Sequence, residues 1–153
     1  MSEALNQQQV AIIRSMGGLV FDAVFEETHE ADLEVTDNPV ETGVVVSDHA
    51  FMKPLRVKIS AGVSDTPLAA VTDDPFASDA GRSRHAFELL TELQRRAEPF
   101  DLQTGLKLYE NMVCTSIRTS QDKDSSGALL FTAELREVII VYTQVVTYPP
   151  RKP

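Results

Sequence analysis

The first place to look for chemistry is His29-Glu30-Ala31-Asp32-Leu33. A zinc-protease helix needs two histidines four residues apart, so that both imidazoles meet one metal ion, with the glutamate as base. Here Leu33 stands where the second histidine belongs, and the segment alternates like a strand. Gly62-Val63-Ser64-Asp65-Thr66 opens like a nucleophile elbow but lacks the closing glycine that the strained turn requires. Gly17-Gly18 is an isolated pair and not a phosphate-binding loop. His29, His49 and His85 sit in separate segments, and only the fold could gather them on a metal. Asp73, Asp74 and Asp79 lack the alternating spacing and bidentate glutamate of a calcium loop, and read as a solvated acidic loop. Cys114, the one cysteine, follows Val113 in a strand-like stretch and reads as a small core residue. A single cysteine also excludes an intramolecular disulfide. No catalytic, cofactor or metal site is expected from these residues.

The elements around them are mostly strands. Leu55, Val57, Ile59, Ala61 and Val63 share one parity, with Arg56, Lys58, Ser60 and Gly62 between them, the pattern of a half-buried strand. Leu19, Phe21, Ala23 and Phe25 alternate in the same way, and Leu33 with Val35 follow an expected turn near Glu27–Glu30. Val44–Val46 is a further short strand candidate, bounded by the turn-forming clusters Asp37-Asn38-Pro39 and Ser47-Asp48. Met112–Arg118 and Ala128–Val141 predict a long C-terminal hairpin around the polar stretch 120–127. Leu129, Phe131, Ala133 and Leu135 form one face of it, and then the parity breaks at Glu137. Val138, Ile139, Ile140 and Val141 are apolar on both faces, which implies either a bulge or a segment covered on both sides, as between subunits.

One helix is predicted over about residues 84–97. Ala86, Leu89, Leu90, Leu93 and Ala97 make a stripe at spacings of three and four. Ser83 is the expected N-cap, Arg95 and Arg96 suit the last turn, and Pro99 ends it. Residues 64–82 predict a long exposed loop, and Tyr148-Pro149-Pro150-Arg151-Lys152-Pro153 a tail that cannot extend a sheet.

Charge is distributed unevenly. Residues 1–50 hold ten acidic side chains and one basic, so the whole formal charge of −9 lies there, while the rest holds thirteen of each sign. Such a surface repels phosphate and excludes ordinary nucleic-acid binding. It is either a solvated acidic face or a surface built to repel a polyanion. Asp22, Glu26, Asp32 and Glu34 share a parity and are the candidates to face such a polyanion. No apolar run is long enough to span a bilayer, and the first residues lack the features of a signal peptide, so no membrane insertion and a cytoplasmic site of folding are expected.

Two stretches together carry a family resemblance. The first contains Phe21-Asp22-Ala23-Val24, then Leu33-Glu34-Val35-Thr36-Asp37-Asn38-Pro39-Val40-Glu41-Thr42-Gly43, Ser47-Asp48-His49 and Lys53-Pro54-Leu55 through Ala61. The second runs from Leu90 to Val141, with Glu98-Pro99-Phe100, Thr104-Gly105, Tyr109-Glu110-Asn111-Met112-Val113 and Phe131-Thr132-Ala133-Glu134-Leu135. In this order they resemble the distal-tail-protein-like (Dit-like) domain of phage tail and baseplate proteins, over about residues 19–141. The resemblance implies a mainly β chain: a split β-barrel of the tail-tube type, with one flanking helix and a long C-terminal hairpin. It implies the barrel at 19–147, and the sequence departs from the family by an N-terminal extension at 1–18 and a flexible Pro-rich tail at 148–153. It implies no enzyme and no cofactor, but a virion component made in the host cytoplasm: a hexameric ring at the distal tail tube that joins tube to spike and helps initiate tube assembly. An adaptor from tube to sheath or wedge is the alternative, and a small β-rich enzyme a third reading. Implied partners are further copies of itself, the tail-tube protein, and hub, spike, sheath or wedge proteins. DNA would be a transient passenger, with Asp22, Glu26, Asp32 and Glu34 toward the channel and Val138–Val141 between subunits.

Overall fold

In the computed structural model the described residues are 13–39, 43, 45–67, 73–78, 80–121 and 127–144. Apolar alternation produces nine strands and one helix: β1 (Ser15–Met16), β2 (Leu19–Val20), β3 (Ala23–Glu30), β4 (Leu33–Pro39), β5 (Val45–Met52), β6 (Arg56–Ser64), α1 (Arg82–Arg96), β7 (Phe100–Gln103), β8 (Leu108–Thr119) and β9 (Ala128–Glu137). Seven strands pair antiparallel in the order β2-β1-β7-β8-β9-β6-β3, and β4 pairs with β5 alone. The protein is thus mainly β, an open sheet with one helix.

The sheet cannot be flat. Its two end strands, β2 and β3, are consecutive in the chain and joined only by Phe21 and Asp22. Three virtual bonds of about 3.8 Å keep Val20 and Ala23 within about 11 Å, whereas seven strands laid flat at about 4.8 Å spacing would separate the edges by roughly 29 Å. The sheet therefore rolls into an incomplete barrel with a corner at Phe21–Asp22.

Strand β6 is central, and its pairing with β9 is unbroken from Arg56–Arg136 to Ser64–Ala128. The expected stripes meet across it. Val57, Ile59, Ala61 and Val63 are buried with Leu129, Phe131, Ala133 and Leu135. Helix α1 packs on β6, β8 and β9 through Ala86 and Leu90, with Leu89 and Leu93 at the margin.

Several expectations need correcting. The helix begins at Arg82, and its N-cap is Gly81 at φ 102°, a conformation that glycine adopts without strain. Ser83 lies inside the first turn, and its amide donates to the Asp65 carboxylate at 2.7 Å, so a distant acid does the work expected of a local cap. No turn interrupts Glu27–Glu30; β3 runs through it, and the break comes at Ala31–Asp32. Asp37-Asn38-Pro39 and Ser47-Asp48 belong to strands β4 and β5, with Asp48 the extra residue of a bulge. Phe25 is also an extra residue, between Val24 and Glu26, and the bulge turns it outward against the parity of Leu19 and Phe21. Strand β9 stops at Glu137, so Val138–Val141 continue as irregular chain. Ser15–Met16, within the expected extension, is a paired strand, and Met16 is fully buried.

The stretch 64–82 is not wholly exposed. Phe76 is fully buried and stacks on Phe21 at 6.1 Å, and Phe21 meets the Phe131 ring edge-on at 5.0 Å. These rings join loop, corner and sheet. Phe76→Ala is expected to lower unfolding free energy by about 3–5 kcal/mol, as a large aromatic deleted from a full core does. Urea denaturation measures it, and a loss below about 1 kcal/mol would mean that this loop is not part of the core.

Candidate assembly interface

Strands β3 and β6 pair along the barrel, and beyond them the same hairpin continues outward as β4 and β5. The junction is held by the Lys53 amide donating to the Asp32 carbonyl at 2.8 Å and by a Lys53–Glu34 ion pair at 2.8 Å. Leu55 anchors its base: its amide donates to the Glu137 carboxylate at 3.0 Å, and its carbonyl accepts the Glu137 amide at 2.8 Å. Past this junction, among the described residues, the arm formed by β4 and β5 packs against no other strand or helix. Cross-strand pairing puts Leu33 opposite Met52 and Val35 opposite Ala50, so one face of the arm is apolar. Leu33, Val35, Phe51 and Met52 are 47–57 % exposed. Two-stranded ribbons are marginal without a packed face. This one presents its face to the outside.

At the opposite end of β6, the Arg82 guanidinium ties four parts of the chain together. It donates to Asp22 at 2.8 and 3.0 Å, to Asp74 at 2.5 and 3.3 Å, and to the Ser64 carbonyl. It also lies over the Phe76 ring, 5.9 Å from its centroid. The side chains of Arg82, Asp74 and Asp22 are 11, 12 and 22 % exposed. Asp22 further accepts the Ser64 amide at 2.7 Å, and Asp74 the Phe76 amide at 3.0 Å. Hydrogen bonds from Arg82 are the main cause that holds both carboxyls below the usual 3.8, and the two acids raise the Arg82 pKa in return.

A second polar cluster lies inside the barrel. Glu27 of β3 pairs with Arg14 at 3.0 Å and accepts the Gly105 amide at 3.0 Å. The Tyr109 hydroxyl, from β8, meets His29 Nδ1 at 2.7 Å. When the phenol donates there, the imidazole proton sits on Nε2, facing the Glu27 carboxylate 3.7 Å away. These bonds join β3 to β8 and the turn before it, across two intervening strands.

The structure does not gather the residues singled out for chemistry. His29 is inside the barrel, His49 is on the arm, and His85 is on α1 beside Glu88 at 3.6 Å. Asp74 is bound to Arg82, Asp79 lies outside the described residues, and among the described residues no group of His, Cys, Asp and Glu is arranged to hold a metal. No helix among them is long and apolar enough to cross a membrane. The four acids expected to act together are also dispersed: Asp22 is held by Arg82, Glu26 lies beside the β3 bulge, Asp32 is at the arm junction, and Glu34 is paired with Lys53. Val138 donates its amide to the Asn111 carbonyl at 2.8 Å; beyond it Ile139 and Ile140 are exposed, and Val141 and Tyr142 are 80 and 86 % exposed. Sequence reasoning missed Arg82, Asp65 and Phe76, because each acts on residues far away in the chain.

The described residues thus form a small rolled sheet with an outlying two-stranded arm. Comparison with protein families matches residues 21–149 to the Dit-like phage tail proteins. The chain belongs to that family and is a structural component of a phage tail, hence of the virion. Comparison with curated proteins finds no match.

Two expectations follow from the geometry. Because both Arg82-bound carboxyls have folded pKa values below their unfolded one, they contribute stability above about pH 4, and it is lost as pH falls through the folded values. Arg82→Ala is expected to cost about 3–5 kcal/mol at neutral pH by leaving acids buried and unpaired, and an Asp22→Asn, Asp74→Asn variant to flatten the acid limb of Tm against pH. An acid limb unchanged in that variant would assign acid unfolding elsewhere. Separately, burial pushes the Cys114 thiol up to about 11. It is therefore expected to resist a thiol-specific reagent at pH 8 in the native protein and to react at once in denaturant.

Proposed function

We propose that the chain is a ring subunit of the tail baseplate, at the distal end of the tail tube, where it joins tube to spike and helps start tube assembly. The observation that carries this reading is the β4–β5 arm. Its apolar face has no partner within the described residues, while the barrel beneath it is fully packed. A ring of six copies, flanked by tail-tube and hub proteins, would cover that face and the open edges of β2 and β3. The role is structural and not catalytic, in keeping with the family.

Acidic side chains suit the same reading. Residues 33–52 hold four carboxylates and no Lys or Arg. A duplex carries one charge per ~1.7 Å of axis, so a channel wall that bound phosphates would hold DNA by many contacts. In our proposal Glu26, Asp32 and Glu34 contribute to a negative wall, while Asp22 serves the Arg82 cluster instead. Screening beyond about 8 Å keeps the effect short-ranged, so passing DNA is repelled only near the wall.

The test is a Val35→Asp, Met52→Asp variant. Its unfolding free energy is expected to stay within about 0.5 kcal/mol of the parent, since these are surface positions without a partner. In a phage lacking the native gene, it is expected to leave tails incomplete by electron microscopy and to abolish plaque formation. Normal infectious tails from this variant would overturn the assembly role of the arm.

A further inference from the structure

A groove of about 850 Å³ lies beside the corner between β2 and β3, lined by Ile13, Val20, Phe21, Ala23, Pro67 and Pro75. Its walls are largely apolar, and Ile13 and Val20 remain exposed in it. Beside the groove, among the described residues, β2 and β3 each pair on one side only, β2 with β1 and β3 with β6. Their backbones can still receive an extended peptide. The rim carries Asp22, Asp73 and Asp74 against Arg82 alone, so it keeps two net negative charges after the Arg82 ion pairs form.

Two segments of the chain carry exposed apolar residues, Leu33, Val35 and Met52 on the arm and Ile139 to Tyr142 after β9, and charge separates them as occupants. The arm, residues 33–52, has four carboxylates and no Lys or Arg, so it would meet the groove rim with like charge. The C-terminal segment, residues 138–153, has Arg151 and Lys152 as its only charged side chains. It begins with Val138-Ile139-Ile140-Val141-Tyr142, of which Ile139, Val141 and Tyr142 are 64, 80 and 86 % exposed. An apolar stretch followed by two cations matches an apolar groove with an acidic rim.

Position argues for a second copy. Strand β9 starts opposite Ser64, beside the groove, and ends opposite Arg56, at the base of the arm. Strand β9 therefore delivers the C-terminal segment at the end away from the groove, roughly 27 Å off for eight steps of about 3.4 Å. We infer that the segment following β9 of one copy seats in the β2–β3 corner groove of the next. This is a head-to-tail contact between unlike surfaces, so it can close into a ring or propagate. The inference rests on the assembly role proposed above, but on different residues from the arm.

Its test uses two single-cysteine proteins, Val20→Cys and Val141→Cys, each full-length and carrying Cys114→Ser. Mixed at high concentration under mild oxidation, they are expected to give a disulfide-linked heterodimer more than tenfold faster than either variant alone. A labelled peptide of residues 137–153 is expected to bind the chain truncated after Val138, with Val20→Asp weakening it at least tenfold and Phe51→Asp, on the arm, leaving it unchanged. No heterodimer, or peptide binding indifferent to Val20→Asp, overturns the inference. So does an intrachain disulfide in a monomeric Val20→Cys, Val141→Cys double variant, which would show the segment covering its own groove. Failure here with the arm variant still blocking tail assembly would sink this contact and leave the proposed function standing.

Discussion

One guanidinium organises the protein. Arg82 is the first residue of the only helix described, yet its hydrogen bonds go to the β2–β3 corner, the end of β6 and the loop before the helix. Taking a charge out of water is costly unless every donor finds an acceptor. The rigid fork of arginine meets that demand here with two carboxylates and a carbonyl at fixed angles, which a lysine could not reproduce. The corner is where the two ends of the sheet are brought together, so the curl of the barrel, the seat of Phe76 and the start of α1 all depend on this contact. Asp65 completes it by accepting the Ser83 amide, which the helix itself leaves unpaired.

The inner cluster of Arg14, Glu27, Gly105, His29 and Tyr109 does a similar task at the other side of β3. A sheet that closes without a continuous ladder needs side chains to hold its far strands together. Directional polar bonds supply this where apolar packing alone would let the strands slide. The two clusters tie the barrel's strands together, and among the described residues apolar surface is left at the arm, the corner groove and the segment after β9. In the proposed ring, such a division would let a folded subunit finish its packing against neighbours. Apolar surface left exposed on an arm costs the monomer little, since the barrel core is complete without it, and becomes useful only when another chain covers it.

Much of the architecture was legible in the residues. Period-two alternation found β6 and β9, whose buried faces are the ones expected, and the three-and-four spacing found α1 to within two residues of its start. The errors fall at bulges and boundaries. An extra residue at Phe25 or Asp48 reverses the parity downstream, and nothing local announces it. Strand β9 ends at Glu137, one ladder bond to Leu55 past the end of β6, although the sequence beyond it is apolar.

Residue order alone thus determined the class of the fold, its central pair of strands, its helix and the family to which it belongs. The fold class, strands and helix are set by side-chain periodicity, which acts within a few residues, and the family is legible in the resemblance of whole stretches. Tertiary structure decided which polar groups are shared, which apolar face stays bare and where the acids point. Arg82 and Asp22 are sixty residues apart, and His29 and Tyr109 eighty. Contacts at such separations depend on how the whole sheet curls, and no local pattern encodes that curl. The acids with a common parity show it most clearly: Asp22 lies at the corner on Arg82, while Glu26, Asp32 and Glu34 stand on β3, at the arm junction and on β4.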